Sequence, residues 1–378
     1  MLHRGSPAAS PTGDPRPTDA DGSTPSPLWK SHERNTLSSH RPLISIITLG
    51  GTIASVPDAQ GHDATPRLTP ADLLASVPQA QQVADFRTTS FRQYPSGDLS
   101  VEDIVELARF IQAEAEAVDG VVITQGTDTL EETSYLLDLL LTTEVPVVLT
   151  GAMRNAGLPG ADGAANLLAA IQVASAPEAR SLGPLVVFAD EIHLPRYVRK
   201  LHTASIGAFG SPNAGPIGWV NEGRVRIPLA PRQRFHPVDL KDLPERFPTV
   251  GIIKLGLGSA PLLPEHVTGF QGVVVEVFGG GHVPSSTVKS LVEVHQRMPL
   301  VLASRTGAGE LYASTYAFPG SEKDVFGRGL ISTGSLDGAK ARLLLLLLVA
   351  AGRERAVIER TFRDLSSQLS SLPSSLRL

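Results

Sequence analysis

Two short apolar runs, at residues 43–47 and 121–124, each break off at glycine and then present a threonine. The first continues as Thr48-Leu49-Gly50-Gly51-Thr52-Ile53-Ala54-Ser55, and the second as Gln125-Gly126-Thr127-Asp128-Thr129. Unbroken apolar runs of this length read as buried strands. Glycines at their ends allow a sharp turn and a close approach of the backbone to another group. Each threonine therefore stands at the carboxyl end of a strand, where open α/β sheets collect their ligands. An ordinary strand-to-helix turn would carry the same residues. A phosphate loop is excluded, since no Gly-Lys-Ser/Thr follows. The repetition of one design twice in a chain is what constrains the fold.

The stretches between support that frame. Thr69 and Pro70 read as the cap and first residue of a helix over 71–77. Residues 101, 104, 105, 108, 111 and 115 are apolar at helical spacing, with Ser100 as the cap. A helix over 130–141 opens with Glu131 and Glu132, which suit its dipole. Strands are expected at 145–150 and 185–189, with a helix at 161–174 between them. A second unit has strands at 250–255, 273–278 and 300–304 and helices at 286–297 and 339–351. The alternation predicts an α/β fold: a large N-terminal parallel-sheet domain plus a smaller C-terminal α/β domain. The expected limits are a disordered tail at 1–41, domains at 42–224 and 250–378, and a Pro- and Arg-rich linker at 225–249.

Composition narrows the classes. With 378 residues, 42% hydrophobic and 19% charged, the chain can bury a sizeable core. A formal net charge of -5 and the lack of a long basic run speak against nucleic acid and membrane surfaces as partners. The absence of cysteine excludes disulfides, thiolate metal sites and a cysteine nucleophile. The tail has no apolar segment of the kind a secretory signal needs. The apolar run at 343–351 is about half of the ~20 residues required to span a membrane, so a buried helix is expected there.

Several stretches admit two readings. Residues 56–66 are polar and hold Pro57, Gly61 and Pro66, which suits a lid over the first threonine or a plain surface loop. Ser96 and Asp98 lie in a turn and are explained by that alone. Residues 190–218 read as an irregular basic loop with Arg196, Arg199, Lys200 and His202. Gly279-Gly280-Gly281-His282 closes a strand, either as a binding loop or as a tight turn. His282 is not expected to hold a metal, because no second His, Asp or Glu sits at ligand spacing.

A threonine hydroxyl needs an activating group to act as a nucleophile. Asp128 can orient a proton relay beside Thr127, and a lysine of tuned pKa can serve as a base. Backbone N–H groups at and after Gly51 can hold an oxyanion. Together these point to acyl transfer on a small polar substrate. Spacing alone does not bring Thr52, Thr127 and Lys200 together.

The two threonine stretches, 48–55 and 124–133, resemble the two signature motifs of bacterial-type L-asparaginases. Gly151-Ala152-Met153-Arg154, Ala161-Asp162-Gly163 with Asn166, Gly215-Pro216-Ile217-Gly218, Val250-Gly251-Ile252 and Lys340-Ala341-Arg342 extend the likeness in order over roughly 43–360. The resemblance implies hydrolysis of L-asparagine to L-aspartate and ammonia, some glutaminase activity, no cofactor or metal, and a homotetramer or homodimer with sites between subunits. Thr52 matches the family's nucleophile. Thr127, Asp128 and Lys200 match its second triad, the lysine through the spacing of Arg196, Val198, Lys200 and Thr203. Ser96 matches the serine that holds the substrate carboxylate, Asp128 the group that holds its ammonium, and Ala152 the residue whose carbonyl faces the amide. Gly51, Gly97 and Gly126 fall in the substrate-binding stretches.

The chain also departs from the pattern. Residues 56–68 hold no tyrosine where the family has one. Gly97 stands in place of a frequent glutamine, and Gln125 in place of a frequent histidine. His282 falls where extracellular members place an asparagine given by the neighbouring subunit. Glu310 lies only near the position of the neighbour's glutamate. These departures predict a cytoplasmic enzyme of relatively low affinity. Two other readings share the motifs: a glutamine-deamidating component of a tRNA amidotransferase, and a silent binder of asparagine or aspartate. The second has no use for two hydroxyls and a lysine.

Overall fold

The computed structural model describes residues 41–56, 65–231 and 234–370. The expected tail falls outside them except for Arg41, and so does the centre of the expected lid, 57–64.

The first strand, β1 (Leu43–Gly50), is buried on both faces, which explains an apolar run without alternation. A short ribbon follows, β2 (Ser55–Val56) against β3 (Thr65–Pro66). The chain then forms α1 (Pro70–Ala75), β4 (Asp85–Tyr94), α2 (Val101–Glu114), β5 (Gly120–Thr124), α3 (Leu130–Leu140), β6 (Val147–Thr150), α4 (Gly163–Ala174) and β7 (Pro184–Phe188). Short strands complete this half: β8 (Glu191–His193), β9 (Arg199–Lys200), β10 (Phe209–Gly210), β11 (Gly218–Asn221) and β12 (Arg224–Arg226). The remainder holds β13 (Val250–Lys254), β14 (Gly272–Val277), α5 (Val288–Arg297), β15 (Leu300–Ser304), α6 (Glu322–Gly327), β16 (Ile331–Ser332), α7 (Gly338–Ala350) and α8 (Arg355–Ser370).

Local chemistry sets the helix starts. Thr69 Oγ1 accepts the Asp72 N–H at 3.2 Å, and Asp72 returns the bond to the Thr69 N–H at 2.8 Å. Ser100 and Asp103 repeat this reciprocal arrangement for α2, at 3.1 and 2.9 Å. In each case two donors that a helix start leaves orphaned are satisfied within four residues of sequence.

The large sheet runs β12-β11-β8-β7-β6-β5-β1-β4, and the small one β13-β14-β15-β16. The pairs from β4 across to β7 are parallel, and β8, β11 and β12 extend the sheet antiparallel. From β1 the chain first adds β4 on one side and then β5 on the other. The strand order therefore reverses between β1 and β5. Loops leaving these two strands diverge there, and a crevice opens at their carboxyl ends. A register shift between Thr48 and Gly50 bends the end of β1 at this crevice.

Helices α2 and α3 line one face of the large sheet and α1 and α4 the other. All six leucines from Leu343 to Leu348 are buried. A helix apolar all round has to be covered on every side. Here α7 packs on α3 and on the small sheet together.

The structure adds elements that periodicity did not reveal. The edge strand β4 is mostly polar, holds Phe86, Phe91 and Tyr94 at no strand period, and never forms an apolar run. Residues 190–218, read as a loop, carry β8, β9 and β10 and lead into β11. Residues 224–226 extend the large sheet as β12, and Val238 and Leu243 of the expected linker are buried in the core. The last helix, α8, buries Ile358, Phe362 and Leu365, an i, i+4, i+7 pattern that was present in the sequence.

Candidate active site

Both threonine turns lie at the crevice between β1 and β5. Gly50 and Gly51 have φ of 98° and 83°, values that suit glycine. A Cβ on Gly51 would stand 2.1 Å from the Gly126 nitrogen, so the two turns pack backbone against backbone. A Cβ on Gly126 would in turn meet Ser96 Oγ at 2.8 Å. Three predicted residues are thus stacked with no room for added carbon.

The second turn holds a polar network. Lys200 Nζ donates to Thr127 Oγ1 at 2.9 Å and to Asp128 Oδ1 at 2.6 Å. The Asp128 carboxylate is 79% exposed while the lysine side chain is 17% exposed, so the row runs from the interior to an open carboxylate. A cleft lined by Asp128, Lys200, Leu201, His202 and Thr203 opens beside it. Ser96 Oγ accepts the Asp128 N–H at 3.2 Å, and Thr129 Oγ1 donates to the Ser96 carbonyl at 2.8 Å. Gln125 Nε2 donates to Thr129 Oγ1 at 3.0 Å.

A third loop closes the group. A Cβ on Gly151 would lie 3.2 Å from Thr127 Cγ2, so the loop after β6 passes directly beside that threonine. Asp162 holds this loop by accepting the N–H groups of Met153, at 2.9 Å, and Arg154, also at 2.9 Å. Asn166 Nδ2 donates to the Gly151 carbonyl at 3.0 Å. The side chain of Ala152 and that of Ile53, next to Thr52, meet at Gly163. Buried Asn166 on the inward side of α4 was a signal of this role, since a buried amide needs partners.

Thr52 itself is half-buried just after β1, as the first residue of a single 3-10 turn. Among the described residues its hydroxyl has no hydrogen-bond partner. Gly97 is exposed, with open space around its α-carbon. His282 stands apart from this group. Its Nε2 lies 3.2 Å from Glu322 Oε2, and its ring meets those of Tyr316 and Phe318 edge-on at 5.1 and 5.2 Å. A carboxylate therefore does sit beside His282, forty residues further on. Spacing along the chain could not reveal it, because the contact is tertiary. The other Glu322 oxygen accepts the N–H groups of Thr315 and Tyr316. Among the described residues no three His, Asp or Glu side chains are grouped to hold a metal.

Sequence reasoning gave Glu131 only a helix-dipole role. The structure turns its carboxylate onto the main-chain N–H of Lys200, with Oε2 at 2.6 Å. Burial pushes its carboxyl above the usual range, against the pull of Lys340 and of the Lys200 amide.

Hydroxyls, a lysine and a carboxylate gathered at a switch point are equipment for acyl transfer. The comparisons with known proteins agree. The family model described as "Asparaginase, N-terminal" matches residues 43–233, and the "Glutaminase/Asparaginase C-terminal domain" matches 249–362. A probable L-asparaginase of Deinococcus radiodurans is 36% identical over 327 residues, 85% of this chain and 97% of its own. A solved structure of a probable cytoplasmic L-asparaginase from Campylobacter jejuni has a TM-score of 0.77 and 30% identity, covering 85% of this chain and 99% of that one. A glutamyl-tRNA(Gln) amidotransferase component of Methanosarcina barkeri is 32% identical over 307 residues, 79% of this chain, with 70% of its own length matched. The chain belongs to the asparaginase family.

Proposed function

We propose that this protein is an L-asparaginase in which Thr52 is the nucleophile and Thr127, Asp128 and Lys200 form the proton-handling group. The observation that carries the reading is Lys200 Nζ set between Thr127 Oγ1 and Asp128 Oδ1. An ion pair with one partner this exposed contributes little to stability, about 0–1 kcal/mol. Its place at the crevice fits a chemical role better.

In this mechanism the Thr52 hydroxyl attacks the side-chain amide carbon of L-asparagine. Its proton passes to the leaving nitrogen, ammonia departs, and an aspartyl ester remains on Thr52. Backbone N–H groups around Gly51 hold the oxyanion. Water then attacks the ester, giving up its proton through Thr127 and Lys200, and L-aspartate and the free hydroxyl result. Asp128 holds the substrate ammonium with its exposed carboxylate. Ser96 and the Gly97 backbone hold the substrate carboxylate, and the Ala152 carbonyl faces the amide. Gly126 gives the backbone clearance that this packing requires. Minor glutaminase activity fits the family description of the C-terminal half.

We assign the two domains to 42–224 and 250–378, with the connecting stretch 225–249 packed onto them through β12, Val238 and Leu243. A homotetramer or homodimer is supported by the exposed aromatic group of Tyr312, Tyr316 and Phe318 around His282 and by fully exposed Leu257. In such an assembly His282 serves the neighbour's site. The likeness to a structure described as a probable cytoplasmic L-asparaginase supports the cytoplasm as its location. The amidotransferase reading is weaker, because this chain leaves nearly a third of that relative unmatched and spans almost the whole of the asparaginases. Purified protein is expected to release ammonia from L-asparagine faster than from L-glutamine. Asparagine binding without any release would mark a silent binder instead.

A further inference from the structure

We infer that Glu131 is a positioning residue for Lys200, pinning the lysine's main-chain N–H and so setting where Nζ meets Thr127. This rests on the functional reading above.

Lys200 belongs to a strand of two residues, β9, that among the described residues pairs only with β10 and stands outside the large sheet. So short a ladder fixes its residues weakly. The bond from the Leu201 N–H to the Ala208 carbonyl uses the side facing β10. The Lys200 N–H goes instead to Glu131 Oε2 at 2.6 Å. Glu131 stands in the first turn of α3, four residues after Thr127. The turn after β5 and the helix start that follows it therefore carry both the hydroxyl that Nζ must reach and the acceptor that holds the lysine's backbone. The residues before Lys200 are held from the C-terminal half. Lys340 Nζ, fully buried in α7, donates to the Val198 carbonyl at 2.8 Å, and Arg199 Nη1 donates to the Gly307 carbonyl. Asp337 accepts from Lys340 Nζ at 2.8 Å and lies 4.0 Å from Arg199 Nε. Three successive residues thus have three separate anchors, and only Glu131 reaches back to the helix of the threonine turn.

The function asked of Glu131 is that of a hydrogen-bond acceptor, which an amide oxygen also supplies. Glu131→Gln is therefore expected to keep kcat within about threefold of the parent. Glu131→Ala is expected to lower kcat by about 30-fold with KM changed less than about threefold, since a misplaced group acts on the transition state more than on ground-state binding. Residue-resolved hydrogen exchange supplies a readout independent of turnover. The Lys200 amide should exchange at least about tenfold faster in the alanine variant and at nearly the parent rate in the glutamine variant. If Glu131→Ala does not fold, the glutamine variant still decides. A kcat in Glu131→Gln more than tenfold below the parent, or unchanged Lys200 exchange in Glu131→Ala, overturns the inference. So does an alanine variant whose kcat per folded site equals the parent's while only its melting temperature falls. A parent protein that releases no ammonia refutes the functional reading, and the positioning role falls with it. An active parent with an indifferent Glu131 refutes the positioning role alone.

Discussion

The turns after β1 and β5 share one sequence design, yet they are built differently. Thr52 opens a single 3-10 turn just after β1, and its hydroxyl has no hydrogen-bond partner among the described residues. Thr127 is tied to Lys200, its neighbour Asp128 to Lys200 and Ser96, and the whole turn to α3. The contrast fits a division of labour. A nucleophile has to leave its resting place to form a bond, whereas a proton-handling group performs best when its atoms are already fixed.

Substitutions test that division in order of expected effect. Thr52→Ala should lower kcat by roughly 10⁴-fold or more with substrate still bound, because the ester forms on its hydroxyl and alanine offers none. Lys200→Met should lower kcat by about 10³-fold, with ester formation and ester hydrolysis separated by rapid-quench kinetics. If Lys200→Met costs more than Thr52→Ala, the roles of the two turns are reversed. Gly51→Ala should destabilise the fold by about 3 kcal/mol or more, read as a fall in urea midpoint. It forces a Cβ to 2.1 Å from the Gly126 nitrogen at a φ of 83°. Gly97→Ala, whose Cβ meets open space, is the control and should stay within about 0.5 kcal/mol.

Acid stability separates the site from the rest of the molecule. His193 on β8, three strands from β5, is buried and burial lowers its pKa to about 4. Its Nδ1 meets Ser211 Oγ at 2.9 Å. The unfolded chain binds this proton near pH 6.5 and the folded one does not. The contribution is therefore complete above 6.5 and is lost as pH falls toward 4, about 2 kcal/mol by pH 5. His193→Gln should remove that slope from the urea-unfolding profile and leave the pH profile of kcat in place. A profile of kcat that moves with His193 would tie the site to this edge of the sheet. Apart from the Gly97 control, the smallest effect is expected for Ser96→Ala, which deprives the Asp128 N–H of its acceptor. About 1–1.5 kcal/mol, or roughly tenfold in KM, is the scale for one such bond.

The sequence by itself determined whatever rests on near neighbours. Both helix caps were legible at Thr69 and Ser100 because their bonds close within four residues. The buried strands β1, β5, β14 and β15 were legible because burial on both faces leaves an unbroken apolar run. The two threonine turns, and through them the family, were legible because a tight backbone approach demands glycine at fixed positions. Edge strand β4 was not, since a half-exposed strand mixes polar with apolar residues.

Only the tertiary structure decided which distant groups meet. Thr127 and Lys200 are 73 residues apart, Glu131 and Lys200 are 69, and His282 and Glu322 are 40. The resemblance pointed to Lys200, but nothing in its spacing shows that its backbone amide is held by Glu131. Such pairings depend on the order of strands in the sheet and on where α7 docks. A side-chain hydrogen bond requires two atoms at about 3 Å, and the length of chain between them places no limit on that.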